Sequence, residues 1–222
     1  MQFKGYSKSV IGSREMNQDS LLIDDAKSLY AVADGVGGGL KGEVASKMAV
    51  EGFQSRFTPT QTLSETVKYI QNAIYMEAMN QFGEALMGTT FTGVHIIQDE
   101  ALFVQVGDSR LYLFDGNLLM QKTVDHEQFD DRLQCTVLIS YLGIDTKEFG
   151  LKIQEESFKL TPGSQLLLCS DGLYKQLDDS RISQILKQSI GTPEVALQVL
   201  CAEAEKAEHS DNVTVVLVQI EE

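Results

Sequence analysis

The patterning of this chain predicts an α+β fold in which two antiparallel sheets pack face to face, with a pair of α-helices outside each in four αββα layers. Strand-forming runs follow one another in meander-like series joined by short polar turns, and two separate pairs of segments carry apolar residues at helical spacing. The 222 residues include only three prolines and no Ser/Gly-rich or Pro-rich tract, so residues 1–222 are expected to form one domain without internal repeats. A hydrophobic share of 43% is enough for a core at this length without covalent staples.

Taken in order, a strand is expected near Phe3 to Ile11, followed by "SLLID" and "SLYAVAD" as a hairpin-like pair. A helix begins near Gly42, after a glycine-rich turn through Gly37, Gly38 and Gly39, and places Val44, Ala45, Met48, Ala49 and Phe53 on one face. A second helix runs from Leu63 to Phe82, with Leu63, Val67, Ile70, Ile74 and Ala78 at helical spacing. The runs "TTFTGVHII", "EALFVQVGD", "RLYLFDG" and "LLMQKTVD" read as strands whose polar turns suit antiparallel pairing. A less regular stretch from His126 to Gly150 precedes strands near Lys152 to Leu160 and Gln165 to Ser170. Helices are expected near Asp179 to Ser189 and Pro193 to Glu208, and a last strand from Asn212 to Ile220.

Acidic side chains outnumber basic ones 32 to 18, for a formal charge of −14, which disfavours a nucleic-acid backbone as partner. Cys135, Cys169 and Cys201 are odd in number and far apart, as buried, reduced thiols would be. No apolar stretch approaches the roughly 20 residues of a membrane span, and no signal-like segment follows Met1. A monomer in the cytoplasm is the resulting expectation.

Four aspartates, Asp34, Asp108, Asp171 and Asp211, stand where strand-forming runs give way to tight turns. Aspartate is a poor strand residue, and gathering several carboxylates costs repulsion and desolvation unless a cation neutralises them. Any single Asp-Gly is an ordinary turn, but four acids at strand ends point to oxygen ligands for Mg2+ or Mn2+. Arg14, in "SREMNQDS", offers a planar guanidinium suited to a phosphate dianion.

The ordered series "SREMNQDS", "YAVADGVGGGLKGEVAS", "MGTTFTGV", "VQVGDSRLYLFDGNLLMQKTVDHE", "LLLCSDGLYKQLDD" and "SDNVTVVLV" resembles the motif set of the metal-dependent type 2C protein phosphatases in their compact bacterial form. The resemblance runs from about Arg14 to Val218. It implies a serine/threonine phosphoprotein phosphatase that hydrolyses phosphate monoesters with metal-activated water. It also implies two Mn2+ or Mg2+ ions, with Asp34 bridging them, the Gly35 carbonyl on one, and Asp171 and Asp211 as further ligands. Asp108 matches a ligand of a third, weaker ion, or else is a turn acid. Arg14 matches the phosphate-binding arginine, and Asp19 an acid in the surrounding water network. Partners implied are phosphorylated protein substrates and a cognate serine/threonine kinase.

The chain departs from the family pattern in three places. Gln18 replaces a common glutamate, Val36 stands where animal relatives carry a histidine proposed as general acid, and the segment from His126 to Thr161 is short, with "LISYLG" (138–143) in place of a longer flap region. His126 reads as structural, and His95 and His209 form no ligand cluster. Gln18 and the short flap leave a second reading, a catalytically weak phosphatase-like module that binds a phosphoprotein or kinase. A third is an acidic interaction domain without metal.

Overall fold

The structure, a computed structural model, describes residues 1–36, 40–58 and 60–221, so the glycine turn expected at 37–39 lies outside the described residues. Twelve strands and five helices are described: β1 (Gln2–Val10), β2 (Asp19–Asp24), β3 (Leu29–Asp34), α1 (Gly42–Arg56), α2 (Leu63–Phe82), β4 (Phe91–Ile97), β5 (Glu100–Val106), β6 (Arg110–Phe114), β7 (Leu119–Gln121), β8 (Glu127–Asp130), β9 (Cys135–Leu138), β10 (Gln154–Lys159), β11 (Gln165–Cys169), α3 (Asp171–Tyr174), α4 (Asp179–Gln188), α5 (Pro193–Ala204) and β12 (Val213–Glu221). One five-stranded sheet has the order β1-β12-β11-β6-β7, the other β10-β5-β4-β3-β2, and every pairing is antiparallel.

The two-residue period of the strands builds the layers. Along β12, Val213, Val215 and Leu217 pack with Leu197, Leu200 and Cys201 of α5, while the intervening Val216, Val218 and Ile220 join Tyr30, Val32 and Phe103 between the sheets. Along β3, Leu29, Ala31 and Ala33 face α1 and α2, and Tyr30 and Val32 face the other sheet. A strand buried on both faces must be apolar at nearly every position, which is why these runs show little alternation. The α+β sandwich expected from the sequence is therefore the fold.

Four details differ from expectation. The turn between β5 and β6 is not a hairpin, because it carries the chain from one sheet to the other and delivers Asp108 there. Within 126–150 lies a separate two-stranded hairpin, β8–β9. Cys135, in that hairpin and outside both large sheets, is exposed, whereas Cys169 and Cys201 are buried as expected. On α1 the buried stripe includes Ser46 and Val50, with Val44 and Met48 only partly covered, and α5 ends at Ala204.

The bounds of α2 match the sequence reading because its start is chemically marked. The Thr62 hydroxyl accepts from Glu65 N at 3.2 Å, the Glu65 carboxylate accepts from Thr62 N at 2.9 Å, and Glu155 on β10 accepts from Leu63 N and Ser64 N, each at 3.1 Å. Replacing Thr62 with alanine is expected to cost about 1 kcal/mol in urea unfolding without a change in m; an unchanged midpoint would show that Glu155 alone holds this end.

Candidate metal and phosphate site

Because neighbouring strands run in opposite directions, one rim of the sandwich collects the ends of some and the starts of others. At this rim β3 ends in Asp34, directly opposite Asp19 at the start of β2. On the facing sheet β11 leads through Ser170 into Asp171, and Asp211 and Asn212 immediately precede β12. The β5–β6 crossover adds Asp108 to the same rim. Asp34, Asp108, Asp171 and Asp211 open into a cleft of about 730 Å³ that is also lined by Arg14, Gln18, Gly35, Glu43, Glu127 and Lys175. All the metal and phosphate candidates named from sequence face this cleft except Asp19, the strand partner of Asp34.

The main chain at Asp34 is pinned: its amide donates to Thr90 Oγ1 at 3.0 Å, and its carbonyl accepts from Thr90 N at 2.8 Å and Thr89 Oγ1 at 2.9 Å. Loss of water, then the charges of Asp19, Asp171 and Asp108, push the Asp34 carboxyl well above the usual carboxylate range. Asp19 accepts from the Ser170 hydroxyl through Oδ2 at 2.8 Å, while its Oδ1 is buried without a hydrogen-bond partner. Desolvation raises Asp19 to about 6, against the hydroxyls of Thr214 and Ser170. Asp108 is pushed up to about 7 by burial and by Asp171, with Lys175 opposing. Asp171 Oδ2 receives Lys175 Nζ at 2.7 Å, and its Oδ1 is buried and unpartnered. Arg14 reaches Asp211 Oδ2 at 2.6 Å, in a pair 54% and 37% exposed.

The supports explain why the acids hold these positions. Asn212 Nδ2 donates to the carbonyls of Ile11 and Met16 at 2.9 and 3.0 Å, and its Oδ1 accepts from Gln18 N at 2.8 Å, so one side chain fastens the Arg14 loop to the start of β12. Gly172 passes so close to this strand that a Cβ would lie 2.1 Å from the Asn212 carbonyl oxygen. Gly107, at φ +105°, turns the crossover, and His126 clamps it by accepting from Gly107 N at Nδ1 (3.1 Å) and donating its own amide to Gly107 O (2.9 Å). Burial holds the His126 pKa below its ordinary value, consistent with a neutral ring accepting at Nδ1. Gln18 keeps its carbonyl on Gly35 N (3.1 Å) and turns its amide toward Glu43 Oε2 (3.4 Å). Of the "LISYLG" segment, Leu138 ends β9 and the other five residues form no strand. Beyond β9 it makes one bridge, at Leu142 to Thr89, which in turn bridges Gly35.

Sequence reasoning missed Glu43, Glu127, Lys175 and Asn212. Lys175 lies one helical turn after Asp171 and Asn212 directly follows Asp211, so spacing alone could have flagged both.

The donor set is all oxygen, which suits a hard cation; one of its oxygens, Asp171 Oδ1, is buried with nothing to bond, and so is Oδ1 of Asp19, the strand neighbour of Asp34. As the side chains stand, no group of three His, Cys, Asp or Glu among the described residues closes around an ion. The cations of Lys175 and Arg14 occupy the other oxygens of Asp171 and Asp211. Gathering such carboxylates without an ion should weaken the fold as they ionise. A raised Asp108 pKa gives stability that is full below about pH 4 and lost as pH rises through about 7. In chelator, the melting temperature of Asp108→Asn relative to the unaltered protein should therefore climb between these pH values; a constant difference would refute the raised pKa.

Known proteins resemble this chain along most of its length. The family model described as protein phosphatase 2C matches residues 7–197. Protein phosphatase PhpP of Streptococcus pneumoniae is 32% identical over 217 residues, covering 88% of this chain and 87% of that protein. The serine/threonine phosphatase PstP/Ppp of Mycobacterium tuberculosis superposes with a TM-score of 0.84 at 27% identity, over 100% of both chains. The catalytic domain of PstP in complex with two manganese ions gives 0.84 at 26% identity, over 99% of each chain. With most of its length matched by the family model, and with a relative 32% identical over 88% of its residues, the chain belongs to the protein phosphatase 2C family.

Proposed function

We propose that this protein is a metal-dependent serine/threonine phosphoprotein phosphatase, with residues 1–222 acting as one catalytic domain. The observation that carries this reading is an imbalance of charge at the acidic rim. Asp34 and Asp19 have no basic partner among the described residues, although Asp34 feels the charges of Asp19, Asp171 and Asp108 together. Such a gathering is stable in its ionised form only with cations between the carboxylates.

In this reading Asp34, the Gly35 carbonyl, Asp171 and Asp211 hold two Mn2+ or Mg2+ ions, as the PstP catalytic domain holds two manganese ions. Bound there, the ions would supply an acidified water as nucleophile and neutralise charge on the phosphoryl oxygens. Asp19 acts from behind, keeping a solvent-free acceptor next to Asp34, and Gln18 positions Gly35 through its carbonyl.

Arg14 orients the substrate phosphate. Its ion pair with Asp211 is largely solvated and therefore worth at most about 1 kcal/mol, so the guanidinium is free to turn its planar donors to a dianion. Among the described residues the cleft is lined by no histidine, and Val36 stands where a general acid would be sought, so solvent returns the proton to the departing seryl or threonyl oxygen. No covalent intermediate is needed: Cys169 lies in β11 and burial pushes its thiol far up, away from the reactive thiolate.

Acidic charge and the absence, among the described residues, of a helix long and apolar enough to cross a membrane support a cytoplasmic signalling role opposite a serine/threonine kinase. Asp34→Asn should lower Mn2+-dependent hydrolysis of p-nitrophenyl phosphate and of a phosphothreonine peptide by at least about 100-fold. Full activity in that variant would remove the site assignment. Arg14→Ala should raise KM for the phosphopeptide about tenfold, the value of one charge-assisted hydrogen bond, with Mn2+ affinity much less affected; an unchanged KM would end the phosphate role.

A further inference from the structure

The cleft has two chemically different sides. On the Asp34 side, Asp34 and Asp19 lack basic partners among the described residues, and Asp211 has only the solvated Arg14. On the Asp108 side a single ammonium is already seated: Lys175 Nζ lies 2.7 Å from Asp171 Oδ2, 3.5 Å from Asp108 Oδ2 and 3.6 Å from Glu127 Oε1. These carboxylates come from the start of α3, the β5–β6 crossover and β8; the ammonium donates to Asp171 and Asp108 and keeps Glu127 at ion-pair distance.

The lysine is held there by more than its own charge. Its amide donates to Asp171 O at 3.0 Å, and the preceding Tyr174 donates its hydroxyl to the Asp108 carbonyl at 3.1 Å while its ring lies under the Arg110 guanidinium, 3.5 Å from it. Arg110 is in turn fixed by Asp125, with Nη2 to Oδ2 at 2.7 Å. The backbone carrying Lys175 is thus tied to the turn carrying Asp108. Asp171 is divided by this arrangement: Oδ2 serves the lysine, and Oδ1 is left buried and unpartnered for something else.

We propose that Lys175 is a built-in cation that takes the place of a third metal ion beside Asp108, so that this phosphatase binds two divalent ions and excludes a third. The proposal rests on the reading of Asp34, Asp171 and Asp211 as metal ligands. A divalent ion on the Asp108 side would need the same carboxylate lone pairs at about 2.0–2.1 Å and would be repelled by the ammonium. Asp108 accordingly serves as the acceptor of Lys175 rather than as a metal ligand.

The test counts Mn2+ bound per chain, by equilibrium dialysis with elemental analysis, for the unaltered protein, Lys175→Met and Lys175→Gln, each with and without Asp108→Asn. The unaltered protein should hold two ions. Either lysine variant should hold a third, bound about tenfold tighter than any third ion detectable in the unaltered chain, and adding Asp108→Asn should return the count to two. Lys175→Gln retains a polar side chain of similar reach in case the methionine variant does not fold. Three ions in the unaltered protein with the affinity seen in the variants, or two ions in both lysine variants, would overturn the proposal. Absence of any bound Mn2+ throughout would instead overturn the metal reading of the cleft itself.

Discussion

Mutual repulsion among carboxylates is the constraint on which this molecule depends. Asp34, Asp19, Asp171 and Asp108 converge at one rim of the sandwich, where loss of water strengthens every charge-charge interaction. Left to relax, such side chains would turn outward. They are prevented by main-chain hydrogen bonds on Asp34, by the Asn212 clasp, by the His126 clamp on Gly107 and by the close passage of Gly172 under Asn212. The rigid part of the fold thus holds together groups that disfavour one another, and cations relieve the strain: Arg14 and Lys175 from the chain, divalent ions from outside.

This division of labour also explains the architecture. Buried strands such as β3, β11 and β12 are apolar along both faces and change character only at their ends. A strand end is the one place where a rigid, well-packed element meets solvent, so a carboxylate placed there is both fixed and accessible. Antiparallel order brings six such ends to one rim without any long loop.

Much of this was legible in the sequence, for physical reasons that differ from element to element. The bounds of α2 were readable because Thr62 and Glu65 mark its start and its apolar residues keep helical spacing for 20 residues. The acids at strand ends were readable because Asp interrupts an otherwise apolar run. The sheet switch at Gly107–Ser109 was not, since a crossover and a hairpin use the same turn residues and only tertiary packing separates them. The β8–β9 hairpin escaped because its eight strand residues are polar or partly exposed and carry no alternating pattern. Lys175 escaped because a lysine after a four-residue helix looks like any solvated surface charge until Asp108 and Glu127, distant in sequence, are brought to it.

The Asn212 clasp has a consequence for how the protein comes into being. It joins Gln18 to Asn212, 194 positions apart, and β1 pairs along its whole length with β12. Contacts of such separation form late, because the entropy of closing so long a loop is recovered only once both ends are present. During synthesis the Arg14 segment therefore waits, without this clasp, until Asn212 has been made. A chain made only as far as β11, however well its first sheet and helices are packed, still lacks Asp211 and the Asn212 clasp at this rim.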